Sequence, residues 1–286
     1  MALSIFTSGS SMASTNALNK SNSLLSTAME RLGTGKRINS SADDAAGLQI
    51  ASRLQGQTNG MAVAQRNISD ATSMLQTAEG AFDEVSNIMY RMKDLATQAA
   101  NDTNTKKDRE AIGSELKELQ NELNNIMNNT SFGGEKMFGA SGKLSQTMNF
   151  QIGSSTGEKM EVNLSGALAT TASGIETIAT TLSGLNASGG FTASGAQGLM
   201  TNLETALENV GSMRSSLGAN INRLGHTSAN LANMKDNTEL ALGNIRDADF
   251  ASEASSMTRN QMLAQTSMSM LKQSNSMSGM VMSLLG

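Results

Sequence analysis

The sequence predicts a mainly α protein: long antiparallel coiled-coil helices built from both chain ends, with a small β-hairpin and a short outer insert. The main observation is a run of seven-residue repeats in which apolar residues occupy one position and mostly alanine a second position three residues later. The first series is Leu54, Met61, Ile68, Leu75, Phe82, Met89 and Ala96, and the second is Gln57, Ala64, Ala71, Ala78, Val85, Met92 and Ala99, in which only Gln57 breaks the pattern. The chain has no proline, as long helices require, and only 3% aromatic residues. Such a helix needs other long helices beside it to bury its stripe.

The N-terminal region, residues 1–42, carries a thin apolar stripe. Leu18, Leu25 and Leu32 are seven residues apart, and the remaining positions are mostly Ser, Asn, Thr and Ala. A lone helix of this composition is marginal in water, so we expect disorder unless a partner helix covers it. Gly33 and Gly35 are expected to end the helix. The first residues have neither the basic nor the apolar region of a conventional secretory signal.

Residues 43–164 predict two further helices and a hairpin. The long helix is expected to run from Asp43 to Asn101, with residues 41–44 as a capping box at its start. A third helix, over residues 106–127, has its own apolar seam, and its short connection predicts antiparallel packing on the long helix. After a glycine-rich turn, partial alternation over residues 147–152 and 159–164 predicts a β-hairpin.

The next segment, residues 165–198, is rich in Ser, Thr, Ala and Gly and is expected to be a small insert or exposed loop. Within it, four apolar residues are spaced for one short helix: Ile175, Ile178, Leu182 and Leu185. Two interpretations of its many hydroxyl groups stay open. They are acceptors of O-linked glycans, or they belong to a plain solvated loop.

Helical repeats return in the C-terminal part. Within residues 199–248, Leu203 begins a second long series of apolar residues seven apart, which is the natural partner of the first long helix. Residues 249–286 carry another thin stripe, formed by Leu263, Met270, Met277 and Leu284. Terminal helices this weakly apolar bury too little surface to offset the entropy of ordering. They are expected to order when many copies stack, which indicates a polymer with an open-ended contact between subunits.

Composition excludes several functional classes. The formal net charge of −4 offers no basic surface for nucleic acid, and the absence of cysteine excludes disulfides and thiolate metal sites. No apolar run is long enough to span a membrane, so on these facts alone the chain would be cytoplasmic. The single histidine, His226, cannot supply a paired-histidine metal site, and we expect it to be an ordinary helix residue. Neither enzyme activity nor a cofactor is predicted.

Several motifs resemble the two ends of bacterial flagellins. The N-terminal motifs are AMERL at residues 28–32, GKRINS at 35–40, DDAAGL at 43–48, QRN at 65–67, QTAEGA at 76–81 and LATQ at 95–98. The C-terminal motifs are IRDADFA at 245–251, MTR at 257–259, QML at 261–263 and SLL at 283–285. The resemblance covers about residues 2–165 and 199–286. It implies a structural subunit that polymerises into the flagellar filament by folding coupled to helical assembly. A hook–filament junction protein is the first alternative, and a surface adhesin or secreted effector with coiled-coil stalks is the second.

The resemblance also implies an organisation and partners. Residues 1–42 and 249–286 would be inner-core helices lining a central channel, residues 43–164 and 199–248 would form the surrounding shell, and residues 165–198 would be a short surface insert. Export through the flagellar type III route to an extracellular filament replaces the cytoplasmic prediction. The implied partners are copies of the same chain, a flagellar export chaperone, and the cap and hook-associated proteins.

Two groups of site residues follow from the same resemblance. Arg91, Leu95 and Glu115 match the surface that Toll-like receptor 5 reads in the family, and contact between subunits is a second interpretation that is compatible with the first. Inner-core packing is assigned to Leu18, Leu25, Leu32, Leu263, Met270, Leu284 and Leu285.

Overall fold

Six helices make up most of the fold, which confirms the mainly α class. The structure is a computed structural model that describes residues 9–139, 141–187 and 191–285, except for the side chains of residues 186, 187 and 278–285. The helices are α1 (Gly9–Thr34), α2 (Ala45–Ala99), α3 (Lys106–Asn129), α4 (Ser165–Ala187), α5 (Ala193–Arg246) and α6 (Phe250–Leu285).

Two small antiparallel hairpins lie between α3 and α4. The first pairs β1 (Ser131–Phe132) with β2 (Glu135–Lys136) around two glycines of positive φ. A short 3₁₀ helix follows, and then β3 (Met148–Gln151) pairs with β4 (Lys159–Val162). The second hairpin confirms the strands expected over residues 147–152 and 159–164. The first was not predicted, because strands of two residues leave no alternation to detect.

The described residues form two compact units. The first unit comprises everything up to Thr58 together with everything from Asp236 onward, and the second comprises Asn59–Lys235. Helices α1 and α6 belong wholly to the first unit and α3 and α4 wholly to the second.

In the second unit, the seven-residue repeats of α2 form the core. Every predicted repeat position from Met61 to Ala99 is buried, and the α5 leucine series that begins at Leu203 is buried in the same apolar cluster. Helix α5 runs antiparallel to α2, since Lys93 pairs with Glu204 and Glu79 pairs with Arg214. The predicted pairing of the two long helices is therefore confirmed.

The N-terminal end of the α2 stripe differs from the prediction. Leu54 is only half-buried and Gln57 is exposed, whereas Ala51 and Thr58 are buried. The repeat assignment is wrong there, because the buried face of this part of α2 is marked by small residues that apolar periodicity does not single out.

Helix α4 corrects the interpretation of residues 165–198 as a small insert or exposed loop. It has 23 residues, and its Ile175, Ile178 and Leu182 are buried in the core of the second unit. The Asn202 side chain on α5 donates a 3.0 Å hydrogen bond to the Thr181 hydroxyl on α4. The apolar spacing indicated a helix but not its length, because the Ala- and Thr-rich turns on either side continue it. Where this segment lies in a filament stays a prediction.

The start of α2 also differs from the prediction. Asp44, rather than a capping box over residues 41–44, caps the helix, and its Oδ1 accepts a 2.8 Å hydrogen bond from the Gly47 N–H. Asp43 instead fixes the preceding turn, where its Oδ2 accepts from the backbone N–H groups of Ser40 and Asn39 at 2.8 and 3.1 Å. These bonds, with the Ser40 N–H as the largest cause, lower the pKa of the Asp43 carboxyl below its ordinary value.

Within the first unit, the two connectors next to α1 and α6 pair with each other. The Arg37 N–H donates to the Arg246 carbonyl at 2.7 Å, and the Ala248 N–H donates to the Gly35 carbonyl at 3.0 Å. Gly35 has a φ of 69°, a left-handed conformation that lets the chain leave α1 as the sequence predicts. The connectors that flank the terminal helices are thus joined by backbone hydrogen bonds.

Candidate assembly surface

Helices α1 and α6 pack antiparallel along a seam of small side chains. Contacts near its two ends set the register: the hydroxyl oxygens of Ser10 and Ser274 are 2.9 Å apart, and the Arg31 guanidinium lies 3.1 Å from the Glu253 carboxylate. The buried residues of the seam are Ser21, Ala28, Ala264 and Ser274. Cα atoms of the two helices come within 8 Å of each other, an approach that small side chains allow and large ones prevent.

The large apolar side chains of both helices lie outside this seam. Nine of them are each 46–61% exposed, and we call these nine side chains together the outer apolar surface. They are Met12, Leu24 and Met29 on α1 and Phe250, Met262, Leu263, Met268, Met270 and Met277 on α6. Scattered exposed apolar residues are ordinary, but this many on one helix pair indicate a surface that another molecule covers.

The residues assigned to inner-core packing divide into three groups. Leu18, Leu25 and Leu32 are half-buried on α1. Leu263 and Met270 are 48% and 59% exposed, so they do not belong to the α1–α6 seam of the single chain. The side chains of Leu284 and Leu285 lie outside the described residues.

The exposure of Leu263 and Met270 has a geometric reason. The series that is buried within the chain lies one residue further along α6, where Ala264 is buried and Leu271 is half-buried. One residue turns an α-helix by about 100°, so the seam of small residues directs the larger side chains outward. The packing of all these residues against other copies of the chain stays a prediction.

A second exposed feature lies where α2 and α3 pack in the second unit. The Nη2 and Nε atoms of Arg91 donate to the same Oε1 of Glu115 at 2.7 and 3.2 Å, and both side chains are about half exposed. Leu95 is 3% exposed and belongs to the apolar core. The structure therefore brings Arg91 and Glu115 together at the surface and places Leu95 in the interior.

Sequence reasoning missed an ion cluster between α2 and α5. The Arg214 guanidinium lies 2.7 Å from Glu79 and 2.9 Å from Asp83. The hydrogen bond that Arg214 donates to Glu79 is the largest cause that raises the pKa of Arg214. Glu79 and Asp83 are four residues apart on one face of α2, which was a visible signal. Nothing in the pattern identified a partner 135 residues away from Glu79.

The structure also locates the residues considered for catalysis or metal binding. His226 is exposed on α5. Within residues 9–139, 141–187 and 191–285, no three His, Asp or Glu side chains are grouped so that they could hold a metal ion. In the same part of the chain, none of the helices combines the length and apolar character needed to cross a membrane.

Comparisons with known proteins agree on one family. The bacterial flagellin N-terminal helical region matches residues 5–143, and the bacterial flagellin C-terminal helical region matches residues 200–285. Flagellin A of Vibrio anguillarum is 34% identical, with the whole of both chains covered. A flagellin of Halalkalibacterium halodurans is 38% identical over 90% of each chain.

One solved structure is similar in fold. A Vibrio parahaemolyticus protein described as a flagellar hook-associated protein matches with a TM-score of 0.62, covering 72% of this chain and 100% of that one. At 18% sequence identity, this likeness shows a shared fold alone.

Proposed function

The chain belongs to the bacterial flagellins, the structural subunits of the extracellular flagellar filament, and we propose that its terminal helices drive polymerisation by packing their outer apolar surface against other copies. Flagellins assemble with one another, so the occupant of this surface is the same chain. The similarity to flagellins over the full length favours a filament subunit over a hook–filament junction protein.

The outer apolar surface is the observation that carries the proposal. Complete burial of a Leu, Met or Phe side chain stabilises by about 1.5–3 kcal/mol relative to full exposure, so covering a half-exposed one contributes roughly 1 kcal/mol. Nine such side chains offer on the order of 10 kcal/mol before the costs of association. A gain of that size is enough to couple the ordering of two weakly apolar helices to assembly.

Deletion of residues 1–32 tests this role. The shortened chain lacks most of α1 but keeps all of Asn59–Lys235, which contains the large apolar core. We expect most of the helicity to survive and growth on sheared filament seeds, followed by electron microscopy, to stop. Normal elongation of the shortened chain would contradict the proposal.

The proposal extends to export and to partners. We infer that the chain reaches the outside unfolded through the flagellar type III route, with an export chaperone on its C-terminal helix and with cap and hook-associated proteins as neighbours. Its lack of cysteine and its weakly apolar ends suit passage through a narrow channel. The role is structural, and no catalytic step is part of it.

The exposed Arg91–Glu115 pair supports a second role for the free subunit. We propose that Toll-like receptor 5 contacts this pair, while Leu95 acts from the core by holding α2 against α3. Arg91→Ala should shift the dose response of receptor-bearing cells to higher concentrations of purified monomer. Lys117→Ala, which changes an exposed cation on α3, is the matched control. An unchanged dose response for Arg91→Ala would remove the proposal.

A further inference from the structure

Thirteen of the methionines whose side chains the structure describes fall into two contrasting environments. The sequence has 21 methionines in all. In the second unit, seven are almost completely buried, each 7% exposed or less: Met61, Met74, Met89, Met92, Met137, Met160 and Met213. On the α1–α6 pair the situation is reversed, and six methionines are 48–60% exposed: Met12, Met29, Met262, Met268, Met270 and Met277.

The exposed methionines make up most of the outer apolar surface. Six of its nine members are thioethers, and the seam that joins α1 to α6 is built instead from Ser and Ala. Oxidation of these thioethers would therefore change the surface available to other copies without removing a side chain from the seam or from the buried core of the second unit.

We propose that the exposed methionines of α1 and α6 form a modification site for peroxide-class oxidants that controls whether the free subunit can join a filament. The proposal rests on the proposed function, in which other copies cover this surface. In the free chain the thioethers are open to oxidant, and in the filament the neighbouring copies shield them.

The chemistry is an oxygen transfer that balances with hydrogen peroxide alone. A lone pair of the methionine sulfur attacks one peroxide oxygen, an S–O bond forms as the O–O bond breaks, and proton transfer releases water. The sulfur is oxidised by two electrons to the sulfoxide, and the peroxide is reduced. The product replaces a flexible apolar side chain with a polar one, and two methionine sulfoxide reductases, one for each sulfoxide epimer, can convert it back.

The consequence for assembly follows from burial. A sulfoxide oxygen forced into an apolar contact without a hydrogen-bond donor opposes association, by about tenfold in affinity for each such group. Several modified side chains on one subunit should therefore prevent its addition at ordinary concentrations. The buried core of the second unit remains apolar, so the oxidised subunit stays folded but cannot assemble.

The first experiment compares the full chain as free monomer and as preassembled filament, each exposed to the same dose of hydrogen peroxide. Peptide mass spectrometry is expected to find sulfoxide at Met262, Met268 and Met270 in the monomer and several-fold less in the filament, with Met89 and Met92 unmodified in both. Equal oxidation of monomer and filament at these α6 positions would overturn the proposal.

The second experiment measures growth on filament seeds. The treated monomer should elongate seeds at least tenfold more slowly than the untreated monomer while its far-ultraviolet circular dichroism is unchanged. Treatment with both methionine sulfoxide reductases, one for each sulfoxide epimer, and a thiol reductant should restore growth. Untreated monomer that fails to elongate seeds would refute the proposed function itself. Growth of the treated monomer at the untreated rate, despite confirmed oxidation, would refute only this inference.

Variants assign the effect to the outer apolar surface. The variant in which all six exposed methionines of α1 and α6 are changed to leucine conserves side-chain volume, and its growth should be largely resistant to peroxide. Met89→Leu, at a fully buried position, should leave the sensitivity of the chain unchanged. If the six-residue variant loses growth on treatment as fully as the parent chain, the site is elsewhere and the proposal is wrong. If the six-residue variant does not assemble untreated, recovery of the parent chain with the two reductases decides the question.

Discussion

Leu263→Ala is the most direct test of the outer apolar surface. Leu263 is 48% exposed in the chain, so about half of its burial remains to be gained when another copy covers it. With about 1.5–3 kcal/mol for complete burial of a leucine, the substitution should weaken each addition step by roughly 1 kcal/mol. That energy corresponds to an increase of about fivefold in the critical concentration for polymerisation. The free chain loses only the contacts of the half of Leu263 that is already buried, and the higher helix propensity of alanine offsets part of that loss.

The neighbouring position provides the contrast. Ala264 is buried in the seam, and Ala264→Leu would force extra methylene groups between two closely packed helices at a cost of about 1–3 kcal/mol. This variant should lose α1–α6 helicity as a monomer, whereas Leu263→Ala should keep it. Sedimentation of filaments over a range of subunit concentrations measures the critical concentration, and circular dichroism measures the helicity. An unchanged critical concentration for Leu263→Ala, together with an intact monomer for Ala264→Leu, would refute both the seam and the surface.

Three further predictions concern the second unit. Phe82→Ala removes a fully buried ring from the α2 core and should lower the free energy of unfolding by about 3–5 kcal/mol in urea titrations. The Thr105 hydroxyl, followed by the Thr105 N–H, holds the pKa of Asp108 below 3.8. The stabilisation from this cap is therefore present above that pH and is lost as the pH falls through the lowered value. Asp108→Asn should remove this part of the acid sensitivity of helicity. Arg214→Met should destabilise the folded chain by no more than about 1 kcal/mol, because the Arg214 guanidinium is one-third exposed and ion pairs at such sites are screened. A double-mutant cycle with Glu79→Gln measures the coupling energy between the two side chains. A coupling energy well above that limit would show that the cluster is less solvated than its exposure indicates.

The sequence predicted the second unit well because its repeats use large apolar residues. Heptad positions from Met61 to Ala99 were all assigned to the buried face correctly, and the leucine series from Leu203 supplied the partner helix. A large side chain in a regular series has one low-energy location, so the pattern in the sequence and the pattern of burial coincide.

The first unit was harder to predict because its contacts use small residues. Ser21 and Ala28 are seven residues apart and are buried, yet serine and alanine carry no apolar signal that distinguishes a buried position from an exposed one. The apolar pattern on α6 therefore indicates the leucine and methionine series, one residue away from the series that is buried within the chain. The exposure of Arg91 and Glu115 could be predicted from the positions of charged residues on the helices. The burial of Leu95 could not, because it depends on how α2 packs against its neighbours.

The choice of small residues for the seam has a physical consequence for assembly. Burying Ser or Ala removes little apolar surface from water, so the contact between α1 and α6 contributes little hydrophobic stabilisation by itself. If Leu263 and Met270 occupied the seam instead, the helix pair would be more stable alone and would present fewer apolar side chains to a neighbour. With the arrangement found, the apolar contacts that stabilise the terminal helices form only when other copies cover them. The full ordering of these helices therefore occurs together with the growth of the filament. A free chain whose α1–α6 pair resisted unfolding as strongly as the core around Phe82, measured by hydrogen exchange of backbone amides, would contradict this conclusion.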